Sequence, residues 1–163
     1  MDNIDSVIHF LNQRGLSVAT AESCTAGLAA ALMAEVSGCG KALQMGYVVY
    51  TEDAKNSCLG VSLDTIQTFG LTNEKTAREM ATGALSRSAA NLIVAITGTA
   101  ESDDDLNGII CFAFALRTTN GYRLFSETKK FHGSRNDVRM AAAEHAILSL
   151  PDIYLKLQDF PEL

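Results

Sequence analysis

The chain predicts an α/β three-layer sandwich on a mixed, mostly parallel sheet, and three observations carry that prediction. Segments such as Leu92–Thr97 and Ile109–Leu116 are apolar without alternation, as strands covered on both faces are. Helical stretches lie between the apolar runs, which is the pattern of a sheet with helices on both sides. Tyr122–Phe131 follows Ile109–Leu116 across Thr-Thr-Asn-Gly, a hairpin signal that makes part of the sheet antiparallel.

Taken in order, Ile4, Val7, Ile8 and Leu11 recur at helical spacing, and Gly15 stops that helix. Leu16–Thr20 reads as a short strand. Ala26–Val36 is alanine-rich and apolar on every face, so it is expected as a helix buried on more than one side. Leu43–Tyr50 is β-like. Thr51 is suited to cap a helix over Glu52–Leu59, closed by Gly60. Asn73–Ser88 forms a long amphipathic helix with Ala77, Met80, Ala81, Ala84 and Leu85 on one side. Val138–Leu148 is the last amphipathic helix, and Pro151 is expected to end it. No repeat, low-complexity tract or linker interrupts the chain, so residues 1–163 read as one domain.

Composition narrows the function. A chain of 163 residues buries about 70% of its unfolded surface as a single domain. The net charge of −6, from 13 basic and 19 acidic residues, lacks the basic footprint that non-specific nucleic-acid binding needs. Its four cysteines include no C-x-x-C pair, so zinc-site spacing is absent and free thiols in a reducing compartment are expected. The amino terminus is acidic where a signal peptide would be basic, and the longest apolar run, Ile109–Leu116, is far too short to span a membrane. The expected setting is the cytoplasm, with no nucleic-acid or membrane partner.

In open α/β sheets ligands gather at the carboxyl ends of the strands. Three polar segments fall there: Glu22-Ser23-Cys24-Thr25, Tyr50-Thr51 and Thr97-Gly98-Thr99. Ser23 has two readings, a helix cap or a nucleophile whose oxyanion meets the N–H groups of the following helix. It does not sit in G-x-S-x-G, and none of the three histidines is in a suggestive setting, so any base must be another residue. Lys55 is the candidate: solvated on a surface helix it does nothing, but drawn into the crevice it loses hydration and its neutral amine can take the serine proton. Tyr50 could relay that proton, whereas Glu22 beside Lys55 would favour the charged amine. Cys24 is either a rival nucleophile, activated by a helix N-terminus, or a packing residue. Thr25, Thr97, Gly98 and Thr99 offer hydroxyls and backbone N–H groups to a ligand or form simple turns. Arg135, opening the last helix in F-H-G-S-R-N-D-V-R, suits a phosphate or carboxylate, or is merely solvated.

Together these segments resemble the C-terminal domain of the competence/damage-inducible protein CinA, a family whose stand-alone members include nicotinamide mononucleotide amidohydrolases. The resemblance rests on T-A-E-S-C-T-A-G-L at Thr20–Leu28 and G-Y-V-V-Y-T-E-D-A-K-N-S-C-L-G-V at Gly46–Val61, and on F-G-L-T-N-E-K-T-A-R-E-M-A-T-G-A at Phe69–Ala84. A-I-T-G at Ala95–Gly98 and F-H-G-S-R-N-D-V-R complete it, all in family order. It implies hydrolysis of the carboxamide of nicotinamide mononucleotide by a Ser–Lys pair with a tyrosine, mapping onto Ser23, Lys55 and Tyr50. Cys24, Thr25, Thr97, Gly98, Thr99 and Arg135 become substrate-side residues. It also implies no metal or cofactor, a role in pyridine-nucleotide salvage and a homo-oligomer, a dimer or larger.

One segment departs from the family. A glycine- and proline-rich loop is replaced by Ala100-Glu101-Ser102-Asp103-Asp104-Asp105-Leu106-Asn107. Acids facing the site would repel a nucleotide phosphate, and this keeps a second expectation alive: a catalytically silent member that binds a nucleotide-like ligand or a protein partner.

Overall fold

A five-stranded sheet of order β2-β1-β3-β4-β5 organises the computed structural model, which describes residues 3–163. Met1 and Asp2, the start of the acidic amino-terminal run, lie outside the described residues. The strands are β1 (Val18–Glu22), β2 (Leu43–Val48), β3 (Leu92–Gly98), β4 (Ile109–Arg117) and β5 (Tyr122–Lys130). β1 pairs in parallel with β2 and β3, whereas β4 pairs antiparallel with β3 and β5. Thus β2, β1, β3 and β5 run one way and β4 runs the other, the mixed and mostly parallel sheet that the apolar runs and the hairpin predict.

Seven helices cover the two faces: α1 (Ile4–Gln13), α2 (Leu28–Ala34), α3 (Glu52–Leu59), α4 (Leu63–Phe69), α5 (Glu74–Ser86), α6 (Arg135–Leu148) and α7 (Leu150–Leu157). Alternation along the strands decides which residues meet which layer. Val94, Ile96, Phe112 and Phe114 pack against α1, α2, α6 and α7. The opposite face is lined by Ala19, Ala21, Ala95, Ala113 and Ala115, which pack with α3, α4 and α5. Small residues there let α5 lie close to the sheet, and Gly83 on α5 lets the carbonyl of Leu59 at the end of α3 approach in turn; a methyl at 83 would overlap that oxygen. The position of α3 therefore depends on one hydrogen atom.

Several boundaries differ from the sequence reading, each for a local reason. The first strand begins at Val18 and runs to Glu22 rather than spanning Leu16–Thr20. The alanine-rich helix starts at Leu28, not Ala26, because Ala26 and Gly27 adopt left-handed φ values of 50° and 95°. The last amphipathic helix does end at Leu148, ahead of Pro151, but the helical region does not stop there. Pro151 lies in the first turn of α7, where its missing N–H has no partner to lose. The last amphipathic helix opens earlier, at Arg135, behind a capping box between Ser134 and Asp137. Helices α4 and α7 had no counterpart in the reading.

Glu22 ties the sheet to α2. Its side chain is fully buried, and its carboxylate accepts hydrogen bonds from Thr20 Oγ1 (2.9 Å), Thr25 Oγ1 (2.7 Å), Ala29 N (2.9 Å) and Ala30 N (3.1 Å). Two of the donors are first-turn N–H groups of α2, which have no partner within their own helix. The last residue of β1 thereby caps the helix that follows it.

Two stability predictions follow from this packing. Gly83→Ala pushes α3 away from α5 and lowers unfolding free energy by about 1–3 kcal/mol, measurable by urea denaturation. Glu22→Gln puts an amide nitrogen against two donors and strands them, at a cost of about 1–3 kcal/mol per orphaned group by the same measurement.

Candidate active site

The carboxyl ends of β1, β2 and β3 lie at one edge of the sheet, so the three polar segments share a crevice there. Ser23 is the first residue past β1; its N–H donates to Ile96 O at 2.9 Å, fixing the backbone against β3, and it is 7% exposed. Lys55 comes from α3, whose first turn is capped by Thr51 through Ala54 N at 3.1 Å. Its position on α3 turns the lysine inward between α3 and the end of β1, and it is fully buried.

Lys55 Nζ makes three hydrogen bonds: with Ser23 Oγ at 2.9 Å and with the carbonyl oxygens of Val49 and Tyr50, each at 3.2 Å. Three acceptors satisfy the three N–H groups of an ammonium, and the same set suits the amine left when one proton is lost. Two N–H donors go to two carbonyls, which cannot themselves donate, and the remaining lone pair can accept from the serine hydroxyl. Burial lowers the lysine pKa to about 8, against the opposing pull of Cys24 and Glu52. Glu22, expected to oppose this, spends its carboxylate on Thr20, Thr25 and α2 and makes no hydrogen bond to Lys55.

Cys24 is not an activated thiol. Burial pushes its pKa up to about 11, outweighing its own backbone N–H and the charges of Lys55 and Arg139. Of the two readings of Cys24, the packing residue is the one that this burial supports. The first-turn N–H groups of α2 also cannot meet an oxyanion, since Glu22 holds Ala29 N and Ala30 N.

The remaining candidates are placed as follows. Thr25 Oγ1 is committed to Glu22. Thr97 Oγ1 donates to Leu71 O at 2.9 Å, and the hydroxyls of Thr99 and Thr72 lie 2.7 Å apart, so both threonines anchor the segment between α4 and α5. Gly98 is a glycine because a side chain there would collide with Ile109 and Ile110 of β4. Tyr50 contributes its carbonyl to Lys55, but its ring is turned outward, 49% exposed, and its hydroxyl accepts from Arg135 Nη2 at 2.8 Å. Among the described residues no hydrogen bond joins that hydroxyl to Ser23 or Lys55. The sequence reading overlooked Arg139, whose Nε donates to Cys24 O at 2.8 Å and Nη2 to Thr25 O at 3.4 Å. Its position four residues after Arg135, one helical turn on, is the signal that would have found it.

The acidic loop is organised by its own side chains. Asp104 Oδ1 accepts from Ser102 Oγ at 2.7 Å and Leu106 N at 3.0 Å, and Asn107 Oδ1 accepts from Ser102 N at 2.9 Å. The Ser102 hydroxyl holds the Asp104 pKa below its usual value, and Glu101, Asp103 and Asp105 are exposed. A concavity of about 450 Å³ on α1, lined by Asp5, Ser6, His9, Phe10 and Gln13, shares no residue with this crevice, and among the described residues no hydrogen bond joins its Ser6 and His9 side chains.

Comparison with known proteins places the chain. Residues 2–153 match the CinA C-terminal domain family. A putative competence-damage inducible protein of Symbiobacterium thermophilum is 39% identical over 151 residues, covering 87% of this chain and 35% of that protein. A CinA-like protein of Chlorobium phaeobacteroides is 34% identical, with 95% and 37% covered, so the chain spans about a third of the length of these relatives. The nicotinamide-nucleotide amidohydrolase PncC of Escherichia coli K12 is 33% identical over 150 residues, covering 90% of this chain and 89% of that enzyme. The crystal structure of a competence/damage inducible protein from Agrobacterium tumefaciens superposes with a TM-score of 0.83 at 34% identity, covering 96% of each chain. On the match across residues 2–153 and these relatives, the chain belongs to the CinA C-terminal domain family.

Proposed function

We propose that the protein is an amidohydrolase that converts the carboxamide of nicotinamide mononucleotide to the carboxylate, releasing ammonia. The observation that carries this reading is the buried Lys55 amine 2.9 Å from Ser23 Oγ, held by two carbonyls and with its pKa lowered to about 8. The likeness to the Escherichia coli amidohydrolase over nine-tenths of that enzyme's length supports the choice of substrate.

Lys55 takes the Ser23 proton as Oγ attacks the amide carbon. The ammonium so formed gives that proton to the nitrogen as the tetrahedral intermediate collapses, and ammonia leaves. Water then attacks the Ser23 ester with Lys55 again as base, releasing the acid and restoring the serine. With α2's first turn closed by Glu22, the oxyanion falls to the turn after Ser23, where Cys24 N has no oxygen acceptor among the described residues. Setting and pathway follow from the substrate: pyridine-nucleotide salvage in the cytoplasm.

The exposed acids of the Glu101–Asp105 loop favour a second reading, a member that binds a nucleotide without turning it over. A rise in melting temperature with the mononucleotide, without ammonia release, would select it.

Ammonia release from nicotinamide mononucleotide is expected with the native chain, and Ser23→Ala and Lys55→Ala should each lower kcat by about 10⁴-fold or more. Turnover undiminished in Ser23→Ala would dispose of the mechanism. The reactive amine is the neutral one, so kcat/KM should fall tenfold per pH unit below about 8 and level off above it.

A further inference from the structure

The Arg135 guanidinium lies beside the crevice in a chain of net charge −6, yet among the described residues it pairs with no carboxylate. Its hydrogen bond goes instead to a neutral phenol, the Tyr50 hydroxyl, at 2.8 Å. Both residues are exposed, Tyr50 over about half of its surface. The Tyr50 backbone, by contrast, is fixed, because its carbonyl oxygen accepts from Lys55 Nζ. The ring can therefore turn about its side-chain torsions toward the amine without any displacement of the main chain.

We propose that the Arg135–Tyr50 hydrogen bond is a latch that the substrate's phosphate opens, so that Tyr50 joins the reaction only when a phosphorylated substrate is bound. This rests on the amidohydrolase reading and adds specificity to it. A guanidinium–phosphate pair is charged on both sides, can be bidentate, and is roughly twice as strong as a bond between neutral partners. Phosphate therefore takes Arg135 and leaves the phenol free. Turned inward, the Tyr50 hydroxyl donates its proton to the departing amide nitrogen and recovers one from the Lys55 ammonium, leaving both groups as they began. Binding energy from a remote part of the substrate is in this way expressed in kcat.

The test compares nicotinamide mononucleotide with nicotinamide riboside, which lacks the phosphate, in the native chain and in Arg135→Ala and Tyr50→Phe. The native chain is expected to lose at least about tenfold in kcat on the riboside, and inorganic phosphate or phosphite added in trans should restore part of the loss. Arg135→Ala should turn over both substrates with equal kcat and ignore added phosphate. Tyr50→Phe should lower kcat on the mononucleotide to the riboside level with KM changed less than about threefold. Equal kcat on both substrates in the native chain, with only KM changed, overturns the latch and leaves the amidohydrolase reading standing.

Absence of ammonia from either substrate removes that reading instead, and fluorotyrosine labelling then judges the contact by itself. The resonance assigned to Tyr50 by its loss in Tyr50→Phe should shift on titration with inorganic phosphate in the native chain and stay fixed in Arg135→Ala. A resonance unmoved by phosphate in the native chain overturns the latch on that evidence alone.

Discussion

A lysine amine without exposed surface is the constraint on which the site depends, because removing an ammonium from water is costly and something must make the burial tolerable. Two carbonyls and a serine hydroxyl do so. The three partners come from two segments: Ser23 follows β1, while Val49 and Tyr50 join β2 to α3. Two of them are held by separate backbone bonds, Ser23 to Ile96 and Val49 to Glu22. The polar cluster is thus over-determined by the sheet, and this lets the sheet impose on lysine a proton affinity it would not have in solvent.

The same economy of space runs through the layer that carries α3. The alanines on that face of the sheet and Gly83 on α5 draw the helices inward, and α3 delivers Lys55 at the depth where it meets Ser23. The opposite layer is built of phenylalanine, valine and isoleucine and carries α6, whose arginines reach over the rim to Tyr50 and to the Ser23 turn. One layer places the base, and the other secures the turn behind the nucleophile.

Much of this was legible in the residues. Apolar runs separated by helical stretches revealed the layers, and short polar segments at the ends of those runs revealed the crevice. Thr51 and Gly60 bracketed α3 correctly, because capping is local chemistry and local chemistry is written in short stretches. What stayed hidden depends on distance through space. Glu22 was read as a neighbour that would charge Lys55, because sequence adjacency to Ser23 says nothing about the donors that claim a carboxylate. Tyr50 was read from its place beside the crevice, but its ring lies outside, since an arginine eighty-five positions later binds it. Pro151 was read as a terminator, and α6 does stop ahead of it, but proline is hostile only to helix interiors and a new helix beginning one residue before it takes it into a first turn.

The Glu22 cap also gives the crevice a direction. By filling the mouth of α2 with its carboxylate, it denies that helix end to an anion and leaves the rim where α6 starts, with Arg135 and Arg139, as the cationic shore. A substrate of the proposed kind, charged at one end and neutral at the other, would then dock in a single sense, with its uncharged functional group carried under the amine and its anion kept outside.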